Sequence, residues 1–133
     1  MGLHRSKNIT AARRTADEWF GKYIRKSHAD NGRCECITCG KIEDWQKVDA
    51  GHCLEKMSFP QVRYNETNVH PQCKGCNMAE NGKAAIHAQA ITELYGTWQL
   101  EELIRLCDQP HVNDKERVMR IAREYKRKYE ELC

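Results

Sequence analysis

Two Cys-x-x-Cys pairs, Cys36/Cys39 and Cys73/Cys76, are the residues whose type and spacing first suggest chemistry. Two residues between thiolates let a tight knuckle aim both sulfurs at one Zn²⁺, and two knuckles complete a tetrahedral four-sulfur site. Zinc ribbons commonly separate their pairs by about 15–20 residues, whereas thirty-three residues lie between Cys39 and Cys73. That stretch carries a coherent polar set, Asp49-Ala50-Gly51-His52 and Asn68-Val69-His70, and Asn77 directly follows the last cysteine. The cysteines read as a clamp closing the ends of a functional insertion. A zinc ion held by four protein ligands keeps no open position, so its role here is structural.

The polar set suits phosphodiester cleavage. Such a site needs a base to deprotonate water, a divalent cation to stabilise charge, and a scaffold that fixes both. His52 fits the base, because a neutral imidazole accepts a proton near neutral pH. Asn68 can hold the loop that orients it, its amide pairing with backbone groups. Asn77 can offer its carbonyl oxygen to Mg²⁺ or Mn²⁺, and Asp49 supplies a carboxylate, a favoured ligand of hard cations. On a regular strand Asp49 and His52 point to opposite faces, and a bulge at Gly51 would bring them together. Asn81 is either a further ligand or a cap before Gly82. His70 has three readings: metal ligand, phosphate contact or loop anchor. Arg63, Lys74 and Lys83 border the set and are candidate DNA-phosphate contacts or plain solvent-facing charge. His4, His28, His87 and His111 read as bystanders, and Cys34, Cys53, Cys107 and Cys133 are left over.

The elements that must position these residues follow from local pattern. Residues 1–10 read as a basic arm. Over residues 11–30, Ala12, Ala16, Trp19, Phe20, Tyr23 and Ile24 recur at three- and four-residue steps, predicting a helix that ends at Asn31-Gly32. This aromatic cluster reads as core rather than as a base-stacking platform. The zinc-bound core spans 34–82: a knuckle at Cys36–Lys41, a short strand over Lys47–Cys53, and an irregular 54–67 with a brief return strand at Gln61–Tyr64. Residues 83–133 read as helical. Ala84–Tyr95 buries Ile86, Ala90, Ile91, Leu94 and Tyr95; Trp98–Cys107 buries Leu100, Leu103, Ile104 and Cys107. A last helix runs from Asn113, with Glu116 in the capping-box position, and buries Val118, Ile121, Ala122, Tyr125, Tyr129 and Leu132. The fold class is therefore α+β, α-rich, in a single domain.

Composition bounds the reading. The chain has 133 residues, 22 Lys and Arg against 19 Asp and Glu, and a net charge of +3. Charge is uneven: residues 1–33 hold eight basic against three acidic side chains, and the last twenty-three hold seven against five. Basic ends suit a polyanion, since phosphate neutralisation releases counterions, and they also suit a solvated helix face. No apolar run reaches membrane-spanning length, and no apolar signal core precedes Trp19. Eight cysteines without a secretory signal point to metal binding in a reducing, cytoplasmic setting. A redox Cys-x-x-Cys protein is the rival, but it leaves Asp49, His52, Asn68 and Asn77 unexplained.

Tyr23-Ile24-Arg25, the Cys36–Lys41 knuckle, Asp49–His52, Arg63–His70 and Gln72–Asn77 together resemble the phage NinG/Rap recombination nucleases of the His-Asn-His, or ββα-metal, superfamily. The resemblance covers roughly residues 19–128 and is dense from Cys36 to Gly82. It implies a zinc-stabilised, treble-clef-like ββα-metal core flanked by N- and C-terminal helices. It also implies metal-dependent cleavage of branched, double-stranded DNA, of Holliday-junction or D-loop type, in the host cytoplasm. On that pattern His52 matches the general base, Asn68 the middle structural Asn, and Asn77 the metal ligand. One departure stands out: related nucleases often carry a metal-binding Asp directly before the base, where this chain has Gly51. Two coordinated cuts would suit a homodimer. A non-catalytic zinc-containing DNA-binding module is the alternative function.

Overall fold

The computed structural model describes residues 2–111 and 114–133. The chain opens with a long helix, α1 (Gly2–Ser27), which begins well before Ala11 and so includes most of the expected basic arm. Asn31 and Gly32 both take left-handed backbone and turn the chain into β1 (Arg33–Glu35). That strand pairs antiparallel with β2 (Ile42–Asp44). A second antiparallel pair follows, β3 (Asp49–His52) with β4 (Val69–Gln72), in the register Asp49 to Gln72 and His52 to Val69. Short α2 (Lys74–Met78) leads into α3 (Ala84–Tyr95), α4 (Thr97–Cys107) and α5 (Lys115–Glu131). Among the described residues the result is helix-rich α+β with two small sheets. Among the described residues no helix is long and apolar enough to cross a membrane.

The largest interface joins α1 to α5, the two helices farthest apart in sequence. Ala12, Ala16, Phe20 and Ile24 form the buried stripe of α1, and Val118, Ala122 and Tyr125 that of α5. Phe20 sits edge-on to Tyr125 with centroids 4.8 Å apart, and edge-on to Tyr64 at 5.6 Å. This is a favourable arrangement of ring quadrupoles. Val69 of β4 closes that cluster, which fastens the β3–β4 pair onto α1. A second cluster of Cys53, Val62, Ile91 and Leu103 holds α3 and α4 against the β3–β4 connection.

Several local expectations change. The return strand at Gln61–Tyr64 is instead a 3-10 turn, Pro60–Val62, with proline at its first position. Proline presets φ for such a turn and lacks the N–H a ladder would use. On α3, Ile86 and Leu94 are exposed and the buried residues are His87 and Ile91. The helix is thus rotated so that His87 rather than its neighbour Ile86 joins Ile91 on the inward face, where it meets a polar partner described below. Ile104 and Leu132 are likewise exposed. Asn113, the expected cap of the last helix, lies outside the described residues; Asp114 caps α5, accepting from the Glu116 N–H at 3.0 Å.

Candidate active site and metal centre

The four cysteines converge. The sulfurs of Cys36, Cys39, Cys73 and Cys76 all lie within 4.8 Å of one another, with Cys39 and Cys73 3.8 Å apart. Thiolates about 2.3 Å from a tetrahedral zinc sit about 3.8 Å from one another, so the set suits a metal such as zinc once its widest pair draws in by about 1 Å. Local backbone explains the convergence. The Gly40 N–H closes the first knuckle on the Cys36 carbonyl at 2.9 Å, and Gly40 holds a φ of +80°, where a side chain would be strained. Ile37 N–H donates to the Pro71 carbonyl, tying this knuckle to β4. The second knuckle is the N-terminus of α2, with Cys73 as its cap. Burial opposes ionisation of Cys36, yet the Thr38 hydroxyl and backbone N–H groups aimed at its sulfur bring it down to about 6. Cys34 is excluded: its thiol donates to the Arg25 carbonyl at 3.1 Å.

His52 ends β3 and lines a cleft of about 690 Å³ with Ala50, Glu55, Asn77 and Asn81. Its Nε2 lies 2.9 Å from the Arg63 carbonyl oxygen. A carbonyl only accepts, so Nε2 carries the hydrogen and Nδ1 holds the lone pair. Burial lowers the His52 pKa, the Arg63 carbonyl opposes this, and Lys56 adds to the lowering. The ring is therefore neutral at neutral pH. Its tautomer makes it a proton acceptor at Nδ1.

Two devices fix that carbonyl. Asn68 is fully buried; its Nδ2 donates to the Leu54 and Val62 carbonyls at 3.0 and 3.2 Å, and its Oδ1 accepts the Leu54 N–H at 2.8 Å. It pins both ends of the loop that carries Arg63. Arg63 itself is not a surface cation. Its guanidinium is buried in a two-point fork on Asp17 of α1, at 3.0 and 2.6 Å, and the Tyr64 hydroxyl joins the same carboxylate at 2.9 Å. Burial raises the Asp17 pKa, but Arg63, Lys56 and Tyr64 outweigh it and hold the carboxyl below its usual value. Arg63 thus positions rather than meets phosphate. Asp17 gave no signal in the sequence, because its partner lies far along the chain.

Asp49 and Asn77 do meet. Asn77 Nδ2 lies 3.0 Å from Asp49 Oδ2, and Lys74 Nζ lies 2.6 Å from Oδ1. Lys74 is thereby an ion-pair partner at the mouth of the site. The β3–β4 ladder runs unbroken from Asp49 to His52, so there is no bulge and the two side chains stay on opposite faces. Asn77 reaches both sides: it lines the His52 cleft and also a groove of about 400 Å³ shared with Asp49, Ala50 and Arg25. Gly51 has a steric reason. A Cβ there would lie 2.8 Å from Gln72 Cβ and nearer still to its Oε1, so no carboxylate fits directly before His52. Asn81 lies in the cleft wall but not on the helix of Asn77, since α2 ends at Met78 and Asn81 has a φ of +53°. Lys83 faces the cysteines; the Cys76 sulfur raises its pKa.

His70 does not join the cleft. It is buried on the opposite face of β4, with Nδ1 2.9 Å from His87 Nε2 and Nε2 2.9 Å from the Tyr95 hydroxyl. Both ring nitrogens are engaged within the protein, and His87, read from the sequence as a bystander, is one of the two partners. Burial pushes His70 down to about 3 and His87 to about 4, each disfavoured further by a neighbouring imidazole. Both are neutral in the fold, whereas unfolded histidine titrates near 6.5. The stability they hold is complete above about pH 6.5. It falls toward pH 4 by up to about 1.4 kcal/mol per histidine per pH unit. Urea midpoints should drop between pH 7 and pH 5, and less so in His70→Gln; equal midpoints in the wild type would contradict this burial.

Comparison with known proteins follows the same span. A family model described as Bacteriophage Lambda NinG protein matches residues 4–133, which include every residue of the cysteine cluster and the cleft. The chain is 30% identical over 117 residues to "Protein ninG" of Salmonella phage P22, covering 88% of this chain and 55% of that protein. It is 31% identical over 88 residues to "Protein ninG" of Escherichia phage lambda, covering 66% and 41%. It is 30% identical over 88 residues to the protein of the same name from Escherichia phage 933W. The chain spans about half the length of the relatives it matches. No solved structure matches it.

Proposed function

This chain belongs to the bacteriophage lambda NinG protein family, and we propose that it is a metal-dependent endonuclease cutting branched DNA during phage recombination. The observation that carries the reading is His52. Its Nε2 is committed to a carbonyl, which leaves Nδ1 basic in a cleft shared with Asn77. The order β3, β4, α2, with the base on the first strand and Asn77 on the helix, supports a treble-clef-like ββα-metal core. Exposed Arg117, Arg120, Arg123 and Lys126 on α5 supply positive charge for a DNA backbone.

In this mechanism His52 Nδ1 takes a proton from water as its oxygen bonds to phosphorus, in line with the departing 3′ oxygen. The P–O3′ bond breaks, leaving a 5′ phosphate and, after proton uptake from solvent, a 3′ hydroxyl. Asn77 and Asp49 fit a Mg²⁺ or Mn²⁺ ion: turning the Asn77 amide by half a circle sets two oxygens about 3 Å apart, the spacing of neighbouring octahedral ligands at 2.0–2.1 Å. Such an ion would supply charge stabilisation on the phosphate and leaving oxygen. Lys74 guards that carboxylate in its absence and is exposed enough to swing away. The test is cleavage of a labelled four-way junction and a matched linear duplex after brief EDTA treatment, then with Mg²⁺ restored. Junction cutting should vanish and return while zinc stays bound. Binding without cutting under every condition would make the chain a non-catalytic DNA-binding module.

A further inference from the structure

We propose that the outer seam of α1 and α5 is a binding platform for an unpaired DNA strand, a reading that rests on DNA being the substrate. Trp19, Tyr129 and Trp45 form a ladder along this seam, with ring centroids 5.8 and 6.3 Å apart. None of the three is buried, unlike Phe20 and Tyr125 one step inside. Trp19 packs against the Phe20–Tyr125 cluster on its inner side, and cations lie beside all three rings. Lys22 lies 4.8 Å and Lys126 5.6 Å from the Trp19 ring; Lys26 lies 5.3 Å from Tyr129 and 5.7 Å from Trp45. Lys22 also pairs with Glu18.

Half-exposed aromatic rings interleaved with ammonium groups match one ligand chemistry closely: stacked bases on a phosphate backbone. Aromatic rings stack any base, while the cations follow the backbone. A duplex presents its bases only to one another, so the rings discriminate unpaired strand from paired. Continuity with the cleavage groove strengthens the assignment. Arg25 has its guanidinium 5.5 Å from the Trp45 ring and donates to the Trp45 carbonyl at 3.3 Å. The same residue lines the groove that holds Asp49 and Asn77. A strand leaving a branch point has an unbroken path from the groove, past Arg25, onto Trp45, Tyr129 and Trp19.

The experiment is binding without Mg²⁺, so that no cutting intervenes, of a splayed fork, an oligo-dT strand and a blunt duplex to the zinc-loaded full chain. Trp19→Ala/Tyr129→Ala should lose about tenfold or more on fork and oligo-dT and change within about twofold on duplex. Trp19→Phe/Tyr129→Phe, which keeps the ring faces, should restore binding. A second measurement needs no change in the ladder. In Trp98→Phe the remaining tryptophans are Trp19 and Trp45, and their fluorescence should be quenched by oligo-dT. Unchanged binding by a folded alanine variant, or absent quenching, overturns the platform. Intact discrimination in a chain that never cuts would keep the platform and sink the nuclease; a chain that cuts but fails both tests would do the reverse.

Discussion

His52→Ala is expected to bind a four-way junction within about twofold of wild type while cleaving it about 10²–10⁴-fold more slowly. The separation of the two effects is the point. Trimming the imbidazole removes a proton acceptor and one hydrogen bond to the Arg63 carbonyl, but the loop beneath keeps Asn68 and the Asp17 fork. The surface proposed to meet DNA is therefore preserved. Gel shift and single-turnover cleavage on the same preparation read the two quantities. Equal loss of binding and cutting would recast His52 as scaffold; unimpaired cutting would remove it from the chemistry.

Cys73→Ser should be more drastic, losing both zinc and fold around the cleft. Structural zinc contributes on the order of 10–16 kcal/mol in small peptides, comparable with or above the about 5–15 kcal/mol net stability of a whole domain. Cys73 is also the cap of α2 and lies 3.8 Å from Cys39 across the cluster. Its loss frees the helix that carries Asn77. Zinc content by mass spectrometry, and hydrogen exchange over residues 49–83, should both report the collapse. A metal-free, folded and active variant would show that the cysteines are not the clamp.

What the sequence disclosed divides along the range of the interactions. The cysteine cluster was legible because each knuckle is local, and helical periodicity gave α4 and α5 to within a few residues. Asn68 read from the sequence as holding its loop, and its amide does bond the backbone of Val62 and Leu54, six and fourteen residues back. Arg63 was misread as a surface cation because its partner, Asp17, sits on α1 and only the tertiary fold brings them together. His87 read as a bystander for the same reason, and its pairing with His70 accompanies the turn of α3 away from the face its apolar residues suggested. Trp19 is a case of mixed periodicity: it shares the spacing of the core residues, yet lies beside Lys22 and Lys126 while Phe20 takes the interior.

The tight meeting of position 51 with Gln72 bears on how such sites can diverge. An aspartate directly before His52 is costly as a single substitution, because its Cβ would lie 2.8 Å from Gln72 Cβ and force the two strands apart. The collision involves the Cβ of residue 72 itself, so trimming Gln72 to alanine does not relieve it; glycine is required there first. That step abandons the Gln72 amide's bonds to Thr38 and the Gly82 carbonyl, which link the first knuckle to the turn after α2. A lineage moving its carboxylate from position 49 to 51 must cross a weakened intermediate. Epistasis between two neighbouring strands thus keeps the carboxylate at position 49.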